Sequence, residues 1–95
     1  MLQRMNSIMQ TAKRCYICGS CAGLERHHVL SGTANRKLSE KYGLWVWLCH
    51  DHHTGKHGVQ YDPELNRRTK REAQLAFEID HGREEWMRIF RKNYL

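Results

Sequence analysis

The chain has 95 residues and a formal net charge of +6, from 16 lysines and arginines against 10 aspartates and glutamates. A chain of this length buries only roughly 60–65% of its unfolded surface, so a bound structural metal would add appreciably to its stability. No apolar run approaches the length of a membrane span, and the first ten residues lack the apolar core of a secretory signal. These features predict one domain over residues 1–95, with no membrane partner, in a reducing cytoplasm.

The positive charge is unevenly distributed. Residues 1–61 carry eight basic and three acidic side chains, or +5, whereas residues 62–95 carry eight and seven, or +1. The excess therefore accompanies the stretch that holds most of the cysteines and histidines. A basic surface beside such a cluster favours a polyanionic partner such as a nucleic acid.

The first half of the chain predicts short, irregular elements. Residues 1–14 suit a short helix or an arm. Residues 15–21, which include Gly19 and Ser20, suit a tight knuckle. Residues 24–30 can be extended, and 31–43 read as a polar loop with a helical turn near 36–41. Residues 44–48, continuous, aromatic and β-branched, give the best strand signal in the chain.

The second half predicts helices. Residues 51–57 suit a short helix with Gly58 as its stop, and Asp62 followed by Pro63 marks the N-cap and first position of a longer one. That helix closes at 81–82, and residues 83–93 form a second helix that buries Trp86, Ile89 and Phe90. On the longer helix, a seam at helical spacing comprises Leu65, Thr69, Glu72, Ala76 and Ile79.

Four potential metal ligands occur as two closely spaced pairs. A tetrahedral zinc site takes four side chains, and the spacing assigns this role to Cys15, Cys18, Cys49 and His52. In a reducing compartment Cys-x-x-Cys indicates metal binding, although disulfides or a redox pair are the alternatives. Cys21 is left as a free thiol or a stand-in ligand.

Further histidines remain for a second, open metal site. Six of the seven histidines lie between His27 and His57. On a helix over 51–57, His53 and His57 would share one face and could grip a single ion. His27 would complete the set, with His28 beside it, while His50 and His81 are taken as bystanders. One closed and one open site indicate an enzyme.

At this point the sequence resembles the HNH endonucleases, also called His-Me finger or ββα-metal nucleases. The family pattern is C-x-x-C, then a [D/E/H]-H-[V/I] strand end, then L-C-x-x-C-H with a further histidine. The matching segments, over roughly residues 15–58, are Cys15-Tyr-Ile-Cys18, His27-His28-Val29 and Leu48-Cys49-His-Asp-His52-His53 with His57. In particular the chain is similar to small HNH proteins encoded by bacteriophages.

The resemblance implies a fold and a set of roles. The fold would be α+β: a small zinc-stabilised ββα-metal domain, with a helical tail over about 62–95. His28 matches the general base, His27, His53 and His57 match the ligands of the catalytic ion, and the Cys3His set matches the structural zinc. The family's middle asparagine is absent near Leu44, and either Asn35 or a backbone carbonyl would orient His28 instead.

The implied activity is metal-dependent hydrolysis of DNA phosphodiester bonds. A neutral histidine can take a proton from water at physiological pH, and a divalent ion can stabilise the leaving 3′-oxygen. The ion could be Mg²⁺, Mn²⁺, Ni²⁺ or Zn²⁺, and imidazole ligands favour the last three. Arg26 and Lys56 could hold adjacent phosphates. A homodimer is one route to double-strand cleavage, and a phage-encoded chain would act in the host cytoplasm.

Two other interpretations remain open. The chain could be a zinc-stabilised nucleic-acid-binding module without catalysis, which the missing asparagine favours. It could also be an adaptor that docks through Trp86, Phe90 and Tyr94. Trp45 and Trp47 could stack on bases but suit a core better, and the basic run 67–71 is either a solvated helix face or a DNA contact.

Overall fold

A computed structural model describes residues 6–95 of the chain. Residues 1–5 of the predicted N-terminal arm lie outside that range. The fold is α+β, with a two-stranded antiparallel sheet. Its elements in chain order are β1 (Leu24–His28), α1 (Thr33–Tyr42), β2 (Trp45–Cys49), α2 (His50–His53) and α3 (Pro63–Phe90).

The register of the sheet separates neighbouring histidines. His28 lies opposite Trp45, and His27 lies opposite Val46, which is fully buried. Successive side chains of a strand point to opposite faces. His28 therefore shares a face with Trp45, while His27 lies on the other face with α2, where its ring is 5.1 Å from that of His53.

The segment before the first cysteine runs along the outer edge of β2. The Ser7 hydroxyl donates to the Trp45 carbonyl (2.5 Å), and the Trp47 N–H donates to Oε1 of Gln10 (2.6 Å). Further along, the Tyr16 N–H donates to the Trp47 carbonyl (2.7 Å). The edge groups of β2 are thus paired by residues 7–16.

The predicted loop over 31–43 is largely a helix. α1 spans ten residues and ends at Gly43, whose φ of 71° places it in the left-handed region. A Cβ at Gly43 would lie 2.4 Å from the Asn6 carbonyl oxygen, so glycine is also required by the close approach of the N-terminal segment. The helix has few apolar residues, so hydrophobic periodicity does not predict it. Its contacts with β1, such as those of Glu40 with Arg26 and His28, stabilise it.

The predicted helix over 51–57 is wrong in its extent, because α2 ends at His53. The chain then turns tightly, with the Gly55 N–H donating to the His50 carbonyl. A Cβ at Gly55 would lie 2.6 Å from the Cα of Asp51, and one at Gly58 would lie 2.7 Å from the His53 carbonyl oxygen. Two glycines allow the backbone to fold back on α2, so His53 and His57 do not share a helical face.

Both predicted ends of the long helix are confirmed. The Asp62 carboxylate accepts from the backbone N–H groups of Glu64 and Leu65, and Gly82 interrupts α3 with φ 79° and ψ 166°. The predicted seam is partly wrong, since Ile79 is 84% exposed. The side chains that α3 buries are Thr69, Ala73, Gln74, Phe77 and Trp86. Within residues 6–95, no helix combines the length and apolarity needed to cross a membrane.

Trp86 is the centre of the helical tail. It is fully buried, and its ring packs 5.4 Å from Phe77 and 4.2 Å from Phe90. Its Nε1–H donates to the Lys92 carbonyl (2.8 Å), which fixes the last residues of the chain. The predicted docking surface is therefore wrong for Trp86, which is a core residue and is not available to a partner.

Replacement of Trp86 tests this assignment. Trp86→Ala should lower the free energy of unfolding by about 3–5 kcal/mol, since it removes a buried ring and leaves a cavity. Ile79→Ala, on the exposed face of the same helix, should change it by no more than about 0.5 kcal/mol. Urea unfolding of the zinc-loaded proteins measures both values, and equal losses would contradict the assignment.

Candidate metal centre and adjoining histidine cleft

The predicted Cys3His cluster is assembled. The ligand atoms of Cys15, Cys18, Cys49 and His52 all lie within 4.8 Å of one another. The first two cysteines come from the knuckle before β1, whereas Cys49 ends β2 and His52 lies in α2. All four cysteines of the chain are free thiols, so the disulfide alternative is not seen. Cys21 is exposed and lies outside the cluster.

The distances within the cluster fit a tetrahedral zinc ion. Bond lengths of about 2.3 Å to sulfur and 2.0–2.1 Å to nitrogen place two sulfurs about 3.8 Å apart, and a sulfur and a nitrogen about 3.6 Å apart. The sulfurs of Cys18 and Cys49 are 3.8 Å apart. His52 Nδ1 lies 3.2 Å from Cys49 Sγ and 3.9 Å from Cys15 Sγ, one distance on each side of that value. The cluster can therefore hold zinc, with His52 binding through Nδ1.

Backbone groups around the knuckle favour the thiolate of Cys15. Its burial opposes ionisation, but backbone N–H groups of Cys18, Cys49 and Ile17 outweigh burial and lower the pKa of Cys15 to about 6. Zinc binds the deprotonated form of cysteine. One ligand of the cluster is thus poised for metal binding near neutral pH.

His27 and His53 form a pair of histidines outside the Cys3His cluster. The Nε2 atom of His27 is buried, and among residues 6–95 it is one of two buried side-chain polar atoms with no hydrogen-bond partner. His53 donates through Nδ1 to Glu25 (2.7 Å), an arrangement that leaves its Nε2 as an acceptor or ligand. The two imidazoles can therefore both offer a nitrogen to one ion.

His27 is held in its neutral form. Burial, followed by the charges of His53, His28 and Lys70, lowers the pKa of His27 to about 4. Only a neutral imidazole can coordinate a metal. His27 is thus neutral at physiological pH, and one of its two ring nitrogens carries a lone pair.

The structure does not bring His57 to this pair. Its Nδ1 lies 3.0 Å from the Asp51 carboxylate, and its side chain is 68% exposed. Among residues 6–95, the only group of three or more potential ligands with all ligand atoms within 4.8 Å is the Cys3His cluster. The expected role of His57 as third ligand is therefore not supported, because the turn after α2 directs it elsewhere.

Glu40, a residue that the sequence did not single out, orients His28. The Nε2 of His28 donates to Oε1 of Glu40 (2.7 Å), and Arg26 donates to both oxygens of the same carboxylate (3.0 Å each). Burial opposes ionisation of Glu40, but these hydrogen bonds outweigh it and keep its pKa below the ordinary value. Asn35, which was expected to orient His28, lies in α1, and its amide donates instead to the Ser31 carbonyl before that helix.

The histidines open onto a cleft of about 510 Å³ between β1, α1 and α2. Arg36 of α1 lines it and was not predicted, whereas Lys56 does not line it. Trp45 is buried beneath Arg26, whose guanidinium lies 3.8 Å from its ring, which agrees with a core role. The lining residues are Arg26, His27, His28, Leu30, Ser31, Gly32, Arg36, His53 and Gln60.

Two neighbouring exposed cysteines provide a matched test of the metal cluster. The wild-type protein should retain about one zinc ion per chain, and Cys18→Ser should lose it because a tetrahedral site then lacks one ligand. Cys21→Ser should keep the ion and the thermal unfolding temperature of wild type. Metal analysis of the purified proteins decides, and zinc retained by Cys18→Ser would rule out the assigned cluster.

Comparison with known proteins adds nothing to this geometry. No protein-family model, no curated protein and no solved structure matches the chain. What the chain itself shows is a small α+β fold with a two-stranded antiparallel sheet and a Cys3His cluster that can bind zinc.

Proposed function

We propose that the protein is a metal-dependent endonuclease that hydrolyses DNA phosphodiester bonds. The observation that carries this proposal is the placement of His28, fixed by Glu40, at a cleft that also holds His27 and His53. This placement combines a candidate base with two candidate ligands on a small α+β framework whose Cys3His cluster can bind zinc. It fits the HNH interpretation of the sequence.

His27 and His53 would hold the catalytic ion. The orphaned, buried Nε2 of His27 and the Glu25 hydrogen bond to His53 are what a two-imidazole site needs. When bound, a divalent ion would stabilise the charge that develops on the leaving 3′-oxygen. Imidazole ligands favour Mn²⁺, Ni²⁺ or Zn²⁺ over Mg²⁺.

His28 would act as the general base. A carboxylate can only accept, so the hydrogen bond to Glu40 keeps a proton on Nε2 and leaves the Nδ1 lone pair to accept a proton from water. The water oxygen then forms a bond to phosphorus while the bond to the 3′-oxygen breaks. The 3′-oxygen takes a proton from solvent, so the products are a 5′-phosphate and a 3′-hydroxyl, and Arg36 in the cleft would neutralise a phosphate oxygen.

The Cys3His zinc would have a structural role. It joins the knuckle to the β2–α2 junction, and His52, a ligand, directly precedes His53 in α2. Fixing His52 from one side of this short helix therefore fixes His53 on the other side. The substrate, a possible homodimer and action in a phage-infected cell are parts of the same proposal.

A catalytically inactive nucleic-acid-binding module is the second candidate. It is favoured by one observation, that His57 does not join His27 and His53. Catalytic zinc sites generally have three protein ligands. The orientation of His28 by an ionised carboxylate favours the enzyme.

The first test is plasmid cleavage with Mg²⁺, Mn²⁺, Ni²⁺ or Zn²⁺. His28→Ala should lower the rate about 10²–10⁴-fold, the contribution of a positioned general base. His57→Ala is the matched control and should keep the rate within about threefold, in the manner of an exposed surface residue. Zinc content must be equal in all three proteins.

The outcomes separate the two candidates. If wild-type protein cuts under no metal but binds DNA, the inactive module replaces the endonuclease. If His57→Ala loses as much activity as His28→Ala, the assignment of ligands to His27 and His53 alone is wrong.

Replacement of Glu40 tests its role in orienting His28. Glu40→Ala should lower kcat about 10- to 100-fold with little change in KM, because the base loses the group that orients it; the magnitude is taken by analogy from carboxylates that orient metal-ligating imidazoles. Glu40→Gln keeps an acceptor for His28 Nε2 and should recover part of the rate. Steady-state cleavage of a labelled duplex measures both constants, and a change confined to KM would show that Glu40 acts only in substrate binding.

A further inference from the structure

A basic groove of about 520 Å³ lies between the start of α3 and the last residues of the chain. Three cationic side chains line it: Arg67 and Lys70 from the first turns of α3, and Lys92 from the segment after it. The groove is separate from the Cys3His cluster and has no part in the mechanism above. Its charges come from parts of the chain that only the fold brings together.

Both lysines approach the ring of Tyr94. The Nζ of Lys70 lies 5.7 Å from the centre of the Tyr94 ring, and that of Lys92 lies 5.2 Å from it. Within the described part of the chain, no carboxylate oxygen comes within 4 Å of either Nζ. By contrast, four arginines of α3 form ion pairs with glutamates at most five residues away in the sequence. Burial and the charge of Lys92 both lower the pKa of Lys70. Two like charges without a counter-ion thus line one groove beside the same ring, which favours an anionic ligand there.

The third cation is only weakly engaged. Arg67 lies 3.6 Å from Glu64, and both side chains are largely exposed. An exposed pair of this kind contributes little and can be exchanged for a stronger acceptor. Arg67 is therefore available to a ligand in the groove.

The groove adjoins the histidine cleft. Gln60 lines both of them, and the charge of Lys70 acts on His27. An anion that fills both must therefore be extended, with repeated charges. A phosphodiester backbone has this form, and lysine and arginine contacts to it position a nucleic acid without reading its sequence.

We infer that Arg67, Lys70 and Lys92 form a track for the phosphate backbone of the DNA strand that continues beyond the cleft. The inference rests on the proposed function, for which it names a binding surface on the helical tail. It gives the tail a role that the core motif over 15–58 does not provide.

DNA binding without cleavage is the direct test. All proteins carry His28→Ala to prevent cutting, and a fluorescent 30-base-pair duplex is titrated without added divalent ion or chelator. Lys70→Gln with Lys92→Gln should raise Kd about tenfold or more at 0.1 M salt, and should reduce the slope of log K against log[salt] by about 2. The matched control, Lys37→Gln with Arg71→Gln, removes the same charge from exposed positions outside the groove and should leave the slope unchanged.

A single substitution controls for misfolding of the double variant. Lys92→Gln lies beyond the end of α3 and should reduce the slope by about 1, with an unchanged thermal unfolding temperature. An unchanged slope in both groove variants, equal effects in the control pair, or no binding by the parent protein overturns the inference. Loss of binding in the groove variants alongside a wild type that cuts no plasmid supports the track and overturns only the endonuclease.

Discussion

The Cys3His cluster is the constraint on which the remaining geometry depends. It joins the knuckle before β1 to the junction of β2 and α2, and thus links segments more than thirty residues apart in the chain. α2 has four residues, and an isolated helix of that length is unstable because nucleation is unfavourable. Coordination of His52 would fix that turn, and both the Glu25–His53 contact and the position of His53 in the cleft follow from it.

The sheet divides two chemical tasks between adjacent residues. Because His27 and His28 point to opposite faces of β1, one can serve as a ligand beside α2 while the other is oriented from α1. A carboxylate lies on each side of the strand. Glu25 of β1 contacts His53, and Glu40 of α1 contacts His28. His53, a candidate ligand, and His28, the candidate base, are thus oriented by separate hydrogen bonds.

The sequence was informative wherever a local rule applied. Pair spacing identified the Cys3His cluster, Asp62-Pro63 marked the start of α3, and Gly82 marked its interruption. It failed where tertiary contacts decide the outcome. α1 has too few apolar residues to be recognised by periodicity, and Glu40 lies twelve residues from His28 in no motif. The helix predicted over 51–57 contains Gly55, whose lack of a Cβ permits the turn after His53, and His57 therefore leaves the face of His53. The endonuclease activity stays a prediction.

Residues 7–16 cover the edge of β2 that does not pair with β1. A two-stranded sheet has two open edges, and an exposed edge is a template for strand addition by a second molecule. Ser7, Gln10 and Tyr16 occupy the hydrogen-bonding groups of Trp45 and Trp47. A fragment that began at the first cysteine would keep every metal ligand and the Tyr16 contact, yet it would lose the partners that Ser7 and Gln10 give to the Trp45 carbonyl and the Trp47 N–H. The segment before the knuckle therefore covers part of a strand edge that could otherwise pair with a second molecule.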